Sequence, residues 1–190
     1  MRKGMTLVEL IFSMVIISIV FSIVPKIIFA SNKSMETSMK EDALFNAYTM
    51  LGSITKLAWD EETYTHGEIL NTDTNTCNDK RVGGFFGSRN CKETSNESAS
   101  AIGQENGSDD YNDIDDYNGY TDTSLSKYKL GVAVDYVDNT YVTTGGSTSE
   151  LKEIKVTVES ASAKTTGFKS SFFYHSANLG HIQIKKEIWQ

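Results

Sequence analysis

Between Leu10 and Val24 the chain runs Leu-Ile-Phe-Ser-Met-Val-Ile-Ile-Ser-Ile-Val-Phe-Ser-Ile-Val without a charge. Counted from Met5, the stretch is twenty residues long and holds one charged side chain, Glu9. About 20 apolar residues in a helix span the hydrocarbon core of a bilayer. Arg2 and Lys3 precede the run, so the start is expected to stay cytoplasmic and the bulk to lie outside. An ordinary secretory signal also joins positive charge to an apolar core, and Phe29-Ala30-Ser31 could serve as its cleavage site. This apolar core is long for such a signal, which also gives no reason for Glu9. A lone carboxylate in a membrane helix is costly and points to a function.

Lys3-Gly4 followed by Met5-Thr6-Leu7-Val8-Glu9-Leu10 resembles the prepilin peptidase signal of type IV pilins and type II secretion pseudopilins. The resemblance implies a cut after Gly4 on the cytoplasmic side, Met5 as the methylated mature N-terminus, and Glu9 as the family's assembly glutamate. It also implies that the apolar helix is retained as the polymerisation helix. Pro25, the only proline, falls one residue nearer the glutamate than is usual in major pilins, and Met5 stands where Phe is commoner. Both departures suit minor pilins and pseudopilins.

Glu9 also has a physical reading of its own. A helix N-terminus carries unpaired N–H groups and a partial positive charge. The free α-amino group adds a full charge, which in lipid needs a partner. Glu9 of one subunit can offset the N-terminus of a neighbour and set the axial register, or pair with its own N-terminus one turn away.

After the apolar run, Met35, Met39, Ala43, Ala47, Leu51, Ile54 and Ala58 recur at helical spacing, which predicts a helix to about Trp59 with one face on a sheet. Alternation predicts strands over Tyr128–Val137 and Leu151–Val158, with two more over Phe168–Tyr174 and Ile182–Trp189. Arg81–Gly87 is a further short candidate, and its glycines lack the strand-to-helix setting of a phosphate loop. The expected class is α+β: a long N-terminal helix packed on a C-terminal antiparallel sheet. The expected organisation is a leader over 1–4, a membrane-spanning polymerisation helix over 5–30 and its amphipathic continuation over 31–59. A variable loop region over 60–127 and the sheet over 128–190 follow.

Within the loop region Asp109, Asp110, Asp113, Asp115 and Asp116 fall in eight residues and repel one another. Cation binding, backbone N–H donors or full solvation must offset them. With Asn118 they supply the hard oxygens that calcium prefers, although the spacing is not that of an EF-hand. The plainer reading is a solvated turn whose aspartates cap a helix end or close Asx-turns. Asp109 to Gly119 also resembles an acidic Asp-Asp-aromatic motif in minor pilin-like proteins of the mannose-sensitive haemagglutinin pilus type, which favours a minor subunit.

A formal net charge of −7 with scattered Lys and Arg argues against nucleic acid as a partner. His66, His175 and His181 stand far apart without a paired motif, so no enzyme chemistry is expected. The leading expectation is therefore a minor pilin or pseudopilin of a type IV pilus or type II secretion-type filament. Its implied partners are other such subunits, the prepilin peptidase, the inner-membrane assembly platform and the membrane itself. The second is a pilus-tip binding module with a calcium-dependent head; the third is a secreted enzyme behind an ordinary signal.

Cys77 and Cys91 sit in polar, loop-like surroundings, whereas free cysteines are usually buried. One disulfide is expected, worth about 3 kcal/mol in the loop-entropy account. Alkylation of the exported, unreduced protein should add nothing at either position; two added groups would show free thiols.

Overall fold

Thr6 opens the first helix, and its Oγ1 accepts the N–H of Glu9 at 3.4 Å. Thr6-Leu7-Val8-Glu9 is thus the S/T-x-x-E pattern that starts helices, with Thr at the N-cap and Glu three residues on. The computed structural model describes residues 6–66, 69–73, 98–103, 111–124, 127–161 and 167–180. Helix α1 runs over Leu7–Ile54 and contains Pro25. Proline has no N–H, so the carbonyl of Phe21, four residues back, loses its helical partner. The chain divides into two units, Met1–Asp42 and Ala43–Gln190.

In the first unit α1 has no buried residue. Where its apolar stretch has ended, Lys33 and Lys40 flank Glu36 at 3.4 and 2.6 Å, a ladder one helical turn to each side. The two ammonium groups hold the half-buried Glu36 carboxyl below the usual range.

In the second unit the last turns of α1 bury one stripe: Ala43, Ala47, Leu51 and Ile54. The stripe belongs to the same core as Leu130, Val132 and Val134 of strand β2 (Tyr128–Val137) and Ile154, Val156 and Val158 of β3 (Leu151–Ser160). Alternate residues of each strand face inward, as a half-buried sheet requires. Alanine at 43 and 47 leaves little side chain between helix and sheet. The sheet order is β1-β2-β3-β4, antiparallel throughout, with β1 at Thr121–Asp122 and β4 at Lys169–Ala177.

The central strands match the alternation read from the sequence, and three boundaries differ. Regular helix ends at Ile54 rather than near Trp59. Lys56 and Leu57 donate three residues back, to Ser53 and Ile54, and the Ala58 carbonyl takes the N–H of Ile114 at 3.0 Å. The chain thereby leaves the helix to pair with the acidic segment. Short helix α2 (Glu61–His66) follows. Strand β4 extends to Ala177 instead of stopping at Tyr174. The fourth strand of the sheet is Thr121–Asp122, within the stretch expected to be loop. Ile182–Trp189, Arg81–Gly87, Cys77 and Cys91 lie outside the described residues.

The outer side of β2 is met by a graded ending. Beyond the two residues of β1, Gly119 N–H donates to Val132 O and Val132 N–H to Tyr120 O, at 3.1 and 2.9 Å. One step further, the Asn118 side-chain Oδ1 accepts the Val134 N–H at 3.1 Å. At the other end of the unit, buried Asn178 takes the Leu70 N–H on Oδ1 and donates Nδ2 to the Leu70 carbonyl, at 3.1 and 2.8 Å. That amide stands in for a strand pair and ties residues 69–70 to the end of β4.

Ala47 is fully buried against the sheet, so Ala47→Leu should overpack the contact and cost about 1–3 kcal/mol. Denaturant melts of the detergent-solubilised protein should show the loss. Thr49→Ala, on the exposed side of the same turns, should change little.

Candidate functional site

Gly4 and Met5 lie outside the described residues. Glu9 lies in the first turn of α1, exposed, and its carboxylate meets no hydrogen-bond partner among the described residues. Around it the apolar side chains are bare: Leu7 and Phe21 are each 76% exposed. Among the described residues α1 is the one helix long and apolar enough to cross a membrane. Two of its hydroxyls suit such a surrounding. Ser13 and Ser18 donate to the carbonyls of Leu10 and Met14, at 2.9 and 2.8 Å, and so present no unsatisfied polar group to lipid.

A second centre lies inside the sheet-bearing unit. Lys152 shares the inward parity of Ile154, Val156 and Val158 and is fully buried. Its three ammonium protons find three acceptors: Trp59 O at 2.7 Å, Asp60 Oδ2 at 3.2 Å and Asp115 Oδ1 at 2.6 Å. Both carboxylates are fully buried with it. The Trp59 ring lies over Nζ at 4.2 Å to its centroid, and Tyr136 closes another side at 5.2 Å. Asp60 takes further donors from the N–H and hydroxyl of Ser100 and from the N–H of Glu62. The Ser100 hydroxyl also reaches Asp115 Oδ2 at 3.4 Å.

The acidic segment folds onto this centre. Asp113 Oδ1 accepts the N–H groups of Asp115 and Asp116, and Asp116 Oδ2 accepts those of Asn112 and Asp113. The two carboxylates close a reciprocal turn that leads into the 3₁₀ turn Asp115–Tyr117. A solvated turn was the plainer expectation from sequence. The structure keeps the Asx-turn and corrects the solvation: Asp113 closes such a turn on the Asp115 N–H, while Asp113, Asp115 and Asp116 are buried and Lys152 sits on Asp115. Burial, reinforced by the Asp115 charge, pushes the Asp113 carboxyl up to about 8. Burial also raises Asp115, against the opposing pull of Lys152.

Of the six residues expected to hold calcium, Asp109 and Asp110 lie outside the described residues. Asp113, Asp115, Asp116 and Asn118 each turn an oxygen to a donor of the protein itself. The second oxygen of Asp113 is buried without a partner. Among the described residues no three His, Cys, Asp or Glu side chains are placed to hold a metal ion.

Sequence reasoning missed Lys152, Asp60 and Ser100. The available signal was parity: in Leu151–Val158 the lysine falls on the same face as three β-branched core residues.

A long, bare apolar helix followed by a four-stranded antiparallel sheet is an α+β, pilin-like arrangement. Residues 1–25 match the family model described as the prokaryotic N-terminal methylation motif, the class III signal of type IV pilins. The motif supports a type IV pilin or pseudopilin precursor, the kind that prepilin peptidase processes. No curated protein and no solved structure matches the chain.

Asp113 makes the sheet-bearing unit sensitive to pH. In the unfolded chain it ionises near 3.8, while the folded protein keeps its proton to about pH 8. Between those values the folded state holds the extra proton, so stability is full below the lower value and falls as pH rises through the window. One such proton gives a slope of at most about 1.4 kcal/mol per pH unit. Asp113→Asn keeps the Oδ1 acceptor and removes the titration. Melting temperatures measured from pH 5 to pH 8 should therefore decline less steeply in the variant, and equal slopes would exclude Asp113 as the source.

Proposed function

We propose that this chain is a minor pilin or pseudopilin: a structural subunit, not an enzyme, of a type IV pilus or type II secretion-type filament. The reading rests on one coincidence. The methylation motif, with Gly4, Met5 and Glu9 in place, leads directly into a helix with no buried residue up to Asp42. A helix that finds no cover for its apolar surface within its own chain must find it in lipid or in other subunits, and a filament subunit needs both in turn. Lipid covers it before assembly; the helices of neighbouring subunits cover it afterwards.

In this proposal the precursor sits once in the bacterial inner membrane, with Arg2 and Lys3 on the cytoplasmic side and the sheet-bearing unit in the periplasm. Prepilin peptidase cuts between Gly4 and Met5, and the new N-terminus is methylated. The assembly platform then draws the subunit into the filament, where Glu9 pairs with the charged N-terminus of a neighbour. The position of Pro25, Met5 at the mature start and the acidic motif favour a minor subunit over a major one.

Co-expression with the peptidase should give a mature protein that begins at Met5 and carries one N-terminal methyl group by intact mass. A mature form that begins near Ser31 would restore the ordinary signal and remove the filament reading. Glu9→Leu should insert in the membrane at least as well as the parent, since a charge has been removed from lipid. Its incorporation into sheared filaments should nevertheless drop by an order of magnitude or more. Undiminished incorporation would take Glu9 out of assembly.

A further inference from the structure

We propose that Lys152 and Asp115 condense with each other to form an amide, a covalent cross-link between β3 and the acidic segment. The two side chains already meet: Nζ donates to Asp115 Oδ1 at 2.6 Å, beside the carboxyl carbon it would attack, with both side chains fully buried. Groups held this way react as if at effective concentrations of ~10⁵–10⁸ M. The Trp59 and Tyr136 rings pack against Nζ, with their centroids at 4.2 and 5.2 Å.

The site sets one lysine against two carboxylates, Asp60 and Asp115, and all three side chains are fully buried. A second carboxylate thus stands beside the pair that reacts, within reach of the protons that Nζ must lose to become a nucleophile.

The surrounding side chains provide the proton route. Asp60 Oδ2 is 3.2 Å from Nζ and 3.1 Å from Ser100 Oγ, and Ser100 Oγ is 3.4 Å from Asp115 Oδ2. Nζ loses two of its three protons, and Nζ attacks Asp115 Cγ. Asp60 accepts them in turn, and the Ser100 hydroxyl hands them to Oδ2. The Nζ–Cγ bond forms, the Cγ–Oδ2 bond breaks, and Oδ2 leaves as water. One proton stays on the amide nitrogen. No oxidant, metal or second substrate enters, and charge balances because one cation and one anion become a neutral amide.

A lasting ion pair is the competing account. It has to carry the desolvation of two charges that an ion pair in this setting seldom recovers in full. The amide removes both. Asp60 then still keeps three donors, the N–H and hydroxyl of Ser100 and the Glu62 N–H.

Intact mass of the reduced full-length protein, purified from membranes in detergent, decides the matter. The expected mass is one water below that of the sequence. Trypsin should spare the amidated Lys152, so residues 130–155 should appear joined to residues 93–127. Asp115→Ala and Lys152→Arg should each restore the missing water. Asp60→Asn retains the shape but not the base; it should stay folded by near-UV circular dichroism and leave most of the protein unlinked. A folded parent at full mass overturns the proposal. So does a missing water with only linear peptides, which would mark a succinimide at an aspartate instead.

Discussion

One buried lysine side chain inside the sheet-bearing unit holds together parts of the chain that are far apart in sequence. Lys152 contacts the exit of α1 at Trp59 and Asp60, and the acidic segment at Asp115. Through Asp60 it is linked to Ser100. These segments also bring Trp59 and Ile114 into the core, with Ala99 and Ile102 packed against it, so the polar centre and the apolar core are built from the same pieces of chain. Lys152, Asp60 and Asp115 are fully buried together, and each lowers the desolvation cost that the others would carry alone.

The two units of the chain answer to opposite solvents. Up to Asp42 the helix covers none of its apolar side chains, which suits lipid or the flanks of other helices. From Ala43 the same helix turns a narrow stripe of small and branched residues to the sheet. Shortly before the transition stands the Lys33–Glu36–Lys40 ladder, where charges of both signs pair along the helix surface. One continuous helix thus has a bare apolar stretch that fits membrane anchoring and, further on, a stripe that lies in the core, because its side-chain pattern changes along its length.

Much of this was legible in the sequence where a period was long enough to read. The charge-free run, Glu9 and the alternation of β2 and β3 each repeat one simple rule over many residues. The two-residue β1 repeats nothing, and its pairing is set by Gly131 and Leu130 opposite. The end of α1 was misplaced because Ala58 continues the helical stripe while its carbonyl is taken by Ile114, far along the chain. The acidic segment posed the right question: five aspartates need an offset. The answer could not be seen locally, because the cation comes from Lys152 on a strand whose polar residues look interchangeable until register assigns them a face.

The graded ending of the sheet at Asn118 has a consequence for what can add to its edge. An open strand edge is a template on which another chain can add a strand, and crowded subunits in a membrane or filament meet such edges constantly. Here the edge of β2 is met first by a two-residue strand, then by backbone pairs at Gly119 and Tyr120, and finally by a side-chain amide at Val134. A side chain can satisfy a backbone N–H, but it cannot be copied by a strand in register. The sheet thereby closes itself on that side against the addition of a further strand.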